Sequence, residues 1–250
     1  MSLLDLLFGK KKFKLKRPKL IIDELKSKIS KDATIFEVGG FRPENTIQES
    51  WIGKVTAYKA EETIPIDKKG ELMLPLAQIY IPDLPFIHPK LSSTKILTVF
   101  ISNAYPECFE EMGENWLIRE YENLEDIKIK DLSNPKSFIK QFPLKATKKQ
   151  DCPIWDGGGL SSEMEDEINE LENSGQIESY YDIADFHQYE HKIGGFPSFR
   201  QSGIDFGDGF EFVFQITSDQ KINLNVIDSG SLMFAKNDQT KEWKIYYDFY

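Results

Sequence analysis

The sequence predicts a β-rich α+β fold: an internal duplication of antiparallel strand units related by a pseudo-twofold axis, with a few peripheral helices. Three recurrences carry that prediction. Leu72 to Ile81 (L-M-L-P-L-A-Q-I-Y-I) is a near-continuous apolar run with Gln78 inside it, and Phe210 to Thr217 (F-E-F-V-F-Q-I-T) sets Gln215 before an isoleucine in the same way. A glycine pair precedes each run, in Val38-Gly39-Gly40-Phe41 and in Ile193-Gly194-Gly195-Phe196. Leu97-Thr98-Val99-Phe100 follows the first run and Ser231-Leu232-Met233-Phe234 the second. The glycine pairs lie 155 positions apart (194 minus 39), the glutamines 137 (215 minus 78) and the phenylalanines 134 (234 minus 100). Anchors that keep their order while the loops between them change length are what a tandem copy leaves. Two copies are too few for a solenoid, so a single body is expected.

The segments follow from periodicity and punctuation. Residues 1–19 form a basic tail ahead of a domain at 20–250. Leu20 to Ile29 carries apolar residues at helical spacing. Repeat one, about 35–130, holds strands at Ile52 to Ala60 and Leu72 to Ile81, separated by the turn Asp67-Lys68-Lys69-Gly70, and a further strand at Lys95 to Ser102. Pro75 requires an edge or a bulge. Trp116 to Tyr121 and Ile127 to Ile129 read as two strands joined by a turn at Asn123 to Asp126. A connector follows at about 131–180. It contains an acidic helix, opened by a capping box of Ser162 with Glu165 and closed by Gly175. Leu160, Met164, Ile168 and Leu171 form its apolar stripe. Repeat two, about 185–250, holds strands at Phe210 to Thr217 and Ile222 to Ile227. It ends on the period-two alternation of Trp243 to Tyr250.

Composition narrows the function. At 250 residues and 40% hydrophobic content the chain can bury a proper core. Its net charge of −10 divides unevenly: residues 1–20 sum to +6, which leaves −16 on the rest. An acidic body of that size repels phosphate backbones and argues against nucleic acid as a partner. Leu3, Leu4, Leu7 and Phe8 share a helical face ahead of the lysine run, so residues 1–20 offer a membrane-surface anchor as one reading. A mobile tail is the reading the sequence favours over it, and the tail lying on the protein's own acidic surface is a third. Cys108 and Cys152 make no disulfide framework and no secretory signal is present, which points to the cytoplasm.

Few residues offer chemistry. Gln78 and Gln215 must be satisfied if buried, either by backbone or by ligand. His187 and His191 are spaced i, i+4, and on a helix with Glu190 they suggest a zinc pair that lacks an assured third ligand. Asp205, Asp208, Asp219 and Asp228 read as turn residues, off calcium-loop spacing. Gly157 to Gly159 precedes a helix but lacks the lysine and hydroxyl of a phosphate loop. Glu107, Glu110 and Glu111 disfavour a thiolate at Cys108. No catalytic residue, metal site or cofactor is expected.

The two anchor sets resemble the YwqG-like family of bacterial proteins. In the first half the pattern is Gly39-Gly40-x-x-Pro43, Trp51, Leu74-x-Leu76-Ala77-Gln78-Ile79 and Leu97-x-x-Phe100. In the second it is His191-Lys192-x-Gly194-Gly195-Phe196-Pro197, Phe214-Gln215-Ile216-x-Ser218-Asp219 and Asp228-Ser229-Gly230-x-Leu232-x-Phe234. The family has a tryptophan-glycine pair where this chain has Val226-Ile227. The resemblance implies a duplicated, β-rich α+β fold without established catalytic residues, and an association with toxin–immunity loci. The leading reading is a non-enzymatic cytoplasmic interaction protein, immunity-like, presenting Glu163, Glu167 and Glu170 to a basic partner. The alternative is a small-molecule or enzymatic site between the halves, built from Gln78, His191, Gln215 and Asp228.

Overall fold

The computed structural model describes residues 18–155 and 158–248; most of the basic tail, residues 1–17, lies outside it. Twelve strands are present among the described residues. They are β1 (Lys31–Val38), β2 (Trp51–Ile52), β3 (Ala57–Lys59), β4 (Leu74–Tyr80), β5 (Ile96–Ile101) and β6 (Trp116–Tyr121). Then come β7 (Ile127–Ile129), β8 (Phe142–Asp151), β9 (Lys192–Gly194), β10 (Phe210–Thr217), β11 (Ser231–Asn237) and β12 (Trp243–Asp248). Ten of them form one sheet in the order β12-β11-β10-β9-β1-β8-β2-β4-β5-β6, antiparallel throughout, and β3 pairs with β7 in a separate ribbon. All seven positions of β4 and all six of β5 are buried, which is why both read as continuous apolar runs. Such strands need cover on both faces.

One face supplies that cover by curling on itself. A single apolar cluster joins Phe36 and Leu144 from the middle of the sheet to Ile118 and Ile245 at its two ends. Those positions meet only if the sheet bends into a nearly closed barrel. β6 and β12, the two ends, face each other across a seam. Glu120 ties it: its carboxylate accepts from Thr94 Oγ1 (2.6 Å), Lys236 Nζ (2.8 Å) and Trp243 Nε1 (2.9 Å). The loop before β6 adds Phe109 N donating to Ile245 O at 2.8 Å.

The outer face is covered piecewise. Val55, Tyr58 and Ile64 lie over Met73 and Phe100, while Phe199 and Phe206 cover Phe212, Met233 and Tyr246. Two helices, α1 (Pro18–Ile29) and α2 (Ser162–Asn173), pack together through Leu25, Ile29, Ile168 and Leu171, beside Cys152 and Tyr180. Neither is long and apolar enough to cross a membrane, nor is any other helix among the described residues.

The β-rich class is as expected, and several elements differ from expectation. Ile52 to Ala60 is not one strand: Gly53 takes φ +73° and turns the chain, so β2 joins the barrel and β3 the ribbon. The turn at 123–126 does not make a β6–β7 hairpin, since β7 pairs with β3. The region read as a connector contains β8, the longest strand, at the centre of the sheet. Its lysines hid it, because Lys145, Lys148 and Lys149 are exposed. Ile222 to Ile227 is not a strand; a single 3₁₀ turn at Gln220–Ile222 ends on Asn223 at φ +58°. The cap of α2 is Ser161, one residue earlier than expected, with Oγ accepting from Met164 N at 3.3 Å. Pro75 does sit at a bulge, between Pro75 and Ala77.

Candidate functional site

The glutamines come first because both are fully inside. Gln78 is 0% exposed, its Oε1 accepts from Thr56 N (2.8 Å) and Ala57 N (2.9 Å), and its Nε2 donates to Glu49 O (3.2 Å). Gln215 Oε1 accepts from Ser198 N (3.1 Å), and its Nε2 donates to Tyr189 O, Glu190 O and Ser198 Oγ. Each amide therefore pins an irregular covering segment to the strand beneath it. The partners of Gln78 all precede β4 in the chain, and those of Gln215 all lie in 189–198. The two do not converge on one site.

Behind Gln215 lies a network that the sequence did not reveal. His187 Nδ1 faces Cys152 O at 2.5 Å, and a carbonyl can only accept, so Nδ1 carries the proton. Nε2 then accepts from Ser198 Oγ at 2.9 Å. Asp151 Oδ1 lies 3.5 Å from Nδ1. The order serine, histidine, aspartate is that of a hydrolytic triad. Its surroundings are not. Asp151 and Lys192 are both 0% exposed and joined at 2.7 Å. Asp151 also accepts from Gln188 N, Cys152 N and Phe196 N. Ser198 is 2% exposed, and its oxygen is held by Gln215. Burial pushes the His187 pKa down to about 4, aided by Lys192. Burial also lowers that of Lys192, against the pull of Asp151. Gly195 exists for this carboxylate: at φ +69°, a Cβ there would stand 2.1 Å from Asp151 Oδ2. Every polar atom is used, and no substrate can reach the hydroxyl.

His187 and His191 do not share a helix face, because the segment carrying them is irregular. Among the described residues no group of three or more His, Cys, Asp or Glu is placed to hold a metal. His191 looks the other way. Its Nδ1 accepts from Thr217 N at 3.0 Å, so its proton sits on Nε2, 3.7 Å from Asp219 Oδ2. His191 is 4% exposed and Nε2 has no hydrogen-bond partner.

Asp219 opens outward. It lines a cleft of 420 Å³ with Ser218, Gln220, Asn223, Asn225 and Ser229. His191 beside it holds its carboxyl below the usual range, burial opposes this, and Lys221 N adds to it. Asp219 thus presents a negative charge among uncharged hydroxyls and amides. Asp228 lies on the turn beside this cleft. Ile227, Asp228 and Ser229 all take left-handed backbone, at φ +24°, +43° and +66°. Residues other than glycine resist this, and Ile227 stands where the resembled family has glycine.

Glu163, Glu167 and Glu170 line one face of α2. Glu167 meets Lys28 only at 3.9 Å. Glu163 suits the helix start, and its pKa is lowered there by its own backbone N–H and by Ser161. The last turn of α2 has no basic residue yet carries Glu170 and Glu172, against the helix dipole. That charge is not there for the helix.

No curated protein matches the chain. The profile of a domain of unknown function, DUF1963, matches residues 50–241, more than half of the sequence and every strand from β2 to β11. The chain therefore belongs to the DUF1963 family.

Proposed function

We propose that this chain is a non-enzymatic, immunity-like binding protein for a positively charged protein partner, with the Asp219 cleft as its point of contact. The observation that carries the reading is an ionised carboxylate on the wall of an open cleft ringed by uncharged donors and acceptors. An arginine or lysine side chain entering there meets a carboxylate whose oxygen lies 3.7 Å from His191 Nε2. The acidic face of Glu163, Glu167 and Glu170 supplies long-range attraction toward the same kind of partner. The one serine–histidine–aspartate arrangement described above is closed to substrate, which favours binding over hydrolysis.

Titration of the full chain with an arginine-rich peptide, followed by calorimetry, tests this. Asp219→Asn is expected to weaken binding about tenfold, as for a lost charge-assisted pair of roughly 1.5 kcal/mol. Equal affinity for both proteins means that the peptide senses only net charge, and the reading fails.

We further infer an internal duplication, supported by pairs of bonds at matching sheet positions. Gln78 pairs with Thr98 and Gln215 with Met233, two residues beyond a bulge in each strand. Tyr80 N donates to Ser50 Oγ as Thr217 N donates to His191 Nδ1, both at 3.0 Å. A Cβ on Gly53 would strike Lys140 O, and one on Gly194 would strike Asp32 O. The glycine matching Gly194 is thus Gly53 and not Gly39. On this reading repeat one runs from β1 to β6 and repeat two from β8 to β12, each lending its first strand to the other's side of the sheet. The YwqG-like branch and a cytoplasmic setting, consistent with free Cys108 and Cys152, complete the proposal.

A further inference from the structure

Loop 105–113 is held in a strained shape from both ends. Tyr105 and Phe109 take left-handed backbone, at φ +53° and +60°, a costly conformation for large side chains. Tyr105 Oη donates to Asn225 O at 2.7 Å, and Phe109 N donates to Ile245 O at 2.8 Å. The Glu110 carboxylate takes Lys68 and Asn115, and its carbonyl accepts from Trp116 Nε1 at 2.9 Å. Asn225 belongs to the wall of the Asp219 cleft, so the loop runs from that cleft to the β6–β12 seam. At the seam it presents Phe109 and Met112, 43% and 40% exposed, beside Phe210 and Trp243 in an open groove of 450 Å³. Exposed apolar side chains grouped in this way mark a contact surface, and the strain that holds Phe109 there points the same way. The rim is acidic. Glu111 and Glu242 are exposed and pair with no cation among the described residues. Lys244, the cation of the lining, is already engaged: Nζ donates to Phe206 O at 2.6 Å and lies over the Phe210 ring.

We propose that this groove is a second contact for the basic partner of the Asp219 cleft, taking a large apolar side chain flanked by arginine or lysine. The inference rests on the reading of that cleft and says what else the partner carries. Both openings are negative, one through Asp219 and the other through Glu111 and Glu242, so a basic segment is drawn to each. They differ in what surrounds the charge. The cleft offers hydroxyls and amides, whereas the groove offers aromatic rings and a thioether that adapts to an apolar guest. One partner reaches both. Tyr105 touches the cleft wall, and Phe109 lies at most about 14 Å further along the chain. A standard protein footprint of about 800 Å² is roughly 30 Å across. A second copy of this chain is a poor occupant, since groove on groove would set Glu111 and Glu242 against their own kind.

Calorimetry of the full chain with two synthetic peptides tests this, one of alternating arginine and serine and a twin in which two of the serines are leucine. The leucine peptide is expected to bind about tenfold tighter, and Met112→Ser, at an exposed position, to remove most of that gain. Hydrogen exchange on the parent chain gives a second reading: the leucine peptide, and not its twin, should slow exchange at 109–112 and 242–244. Equal affinity for the two peptides, a leucine gain untouched by Met112→Ser, or unchanged exchange at those residues overturns the groove contact. Asp219→Asn against the serine peptide reports separately on the cleft, so either reading can fail while the other stands. Binding of neither peptide overturns both.

Discussion

Replacing Gln78 by leucine asks whether a buried amide belongs to the fold or to a ligand. The side chains are close in size, so the substitution removes hydrogen bonds without leaving a large cavity. It strands Thr56 N–H, Ala57 N–H and Glu49 C=O at a residue that is 0% exposed. Each unsatisfied buried group costs about 1–3 kcal/mol. Leucine offsets about a third of the total by burying more apolar surface, since a buried leucine side chain contributes about 2 kcal/mol. The expected net loss is about 3–5 kcal/mol, a fall in melting temperature of roughly 10 °C for a chain of this size. Gln215→Leu strands Ser198 N–H and the carbonyls of Tyr189 and Glu190, so its cost should fall in the same range. Urea unfolding followed by tryptophan fluorescence measures both. A cost under about 1 kcal/mol for either would mean that the backbone does not depend on the amide, and the structural role argued for that glutamine would be wrong.

Three further substitutions probe the rest of the framework. Lys192→Met leaves Asp151 charged and unpaired at 0% exposure, for an expected loss of about 3–5 kcal/mol in urea unfolding; adding Asp151→Asn should recover part of it. Glu120→Ala unties Thr94, Lys236 and Trp243 at once and should cost about 2–3 kcal/mol, with a red-shifted tryptophan emission as the seam admits water. His187 governs part of the acid response. Unfolded, its imidazole takes up a proton near pH 6.5, whereas folded it resists until about pH 4. The unfolded state therefore binds more protons between those values, and stability falls as pH is lowered through that window, by on the order of 3 kcal/mol. His187→Gln should flatten the unfolding midpoint between pH 6.5 and pH 4 relative to the parent chain, and an unchanged slope would assign the acid response elsewhere.

What the sequence made legible was whatever left a periodic or compositional trace. β4, β5, β10 and β12 were read within two residues of their observed bounds because their apolar runs are uninterrupted or alternate cleanly. β8 escaped because it crosses the barrel with Lys145, Lys148 and Lys149 exposed, so its composition is that of a surface loop. β2 and β9 are too short to show any period, and Gly53 and Gly194 end them. The candidate site was legible in fragments. The sequence singles out His191 and Asp228 but reads Asp219 only as a turn residue, because nothing in a linear spacing brings 191, 219 and 229 together. Asp151 and Ser198 give no signal, and His187 reads only as half of a zinc pair: long-range hydrogen bonding is set by strand order, which pattern alone does not specify.

The duplicated reading sharpens where function belongs. Ser50 and His191 do the same work, each accepting from the strand residue two positions beyond the glutamine. Past that point the halves part. The first continues into Ile81 and Pro82, with Ile81 buried at 1% and the chain turned inward toward Leu84. At the matching place the second has Ser218 and Asp219, an open cleft, and a turn held in left-handed backbone by residues that resist it. A scaffold needs these hydrogen bonds in both halves, and it has them. It gains nothing from a partly exposed carboxylate beside a buried imidazole, or from three left-handed residues in a row, present in one half alone. Strain that the sheet does not require is retained where something outside the fold depends on the shape it enforces. On the proposed duplication, the strand end at Ser218 and Asp219, and not the two glutamines, is therefore where the proposed partner is to be sought.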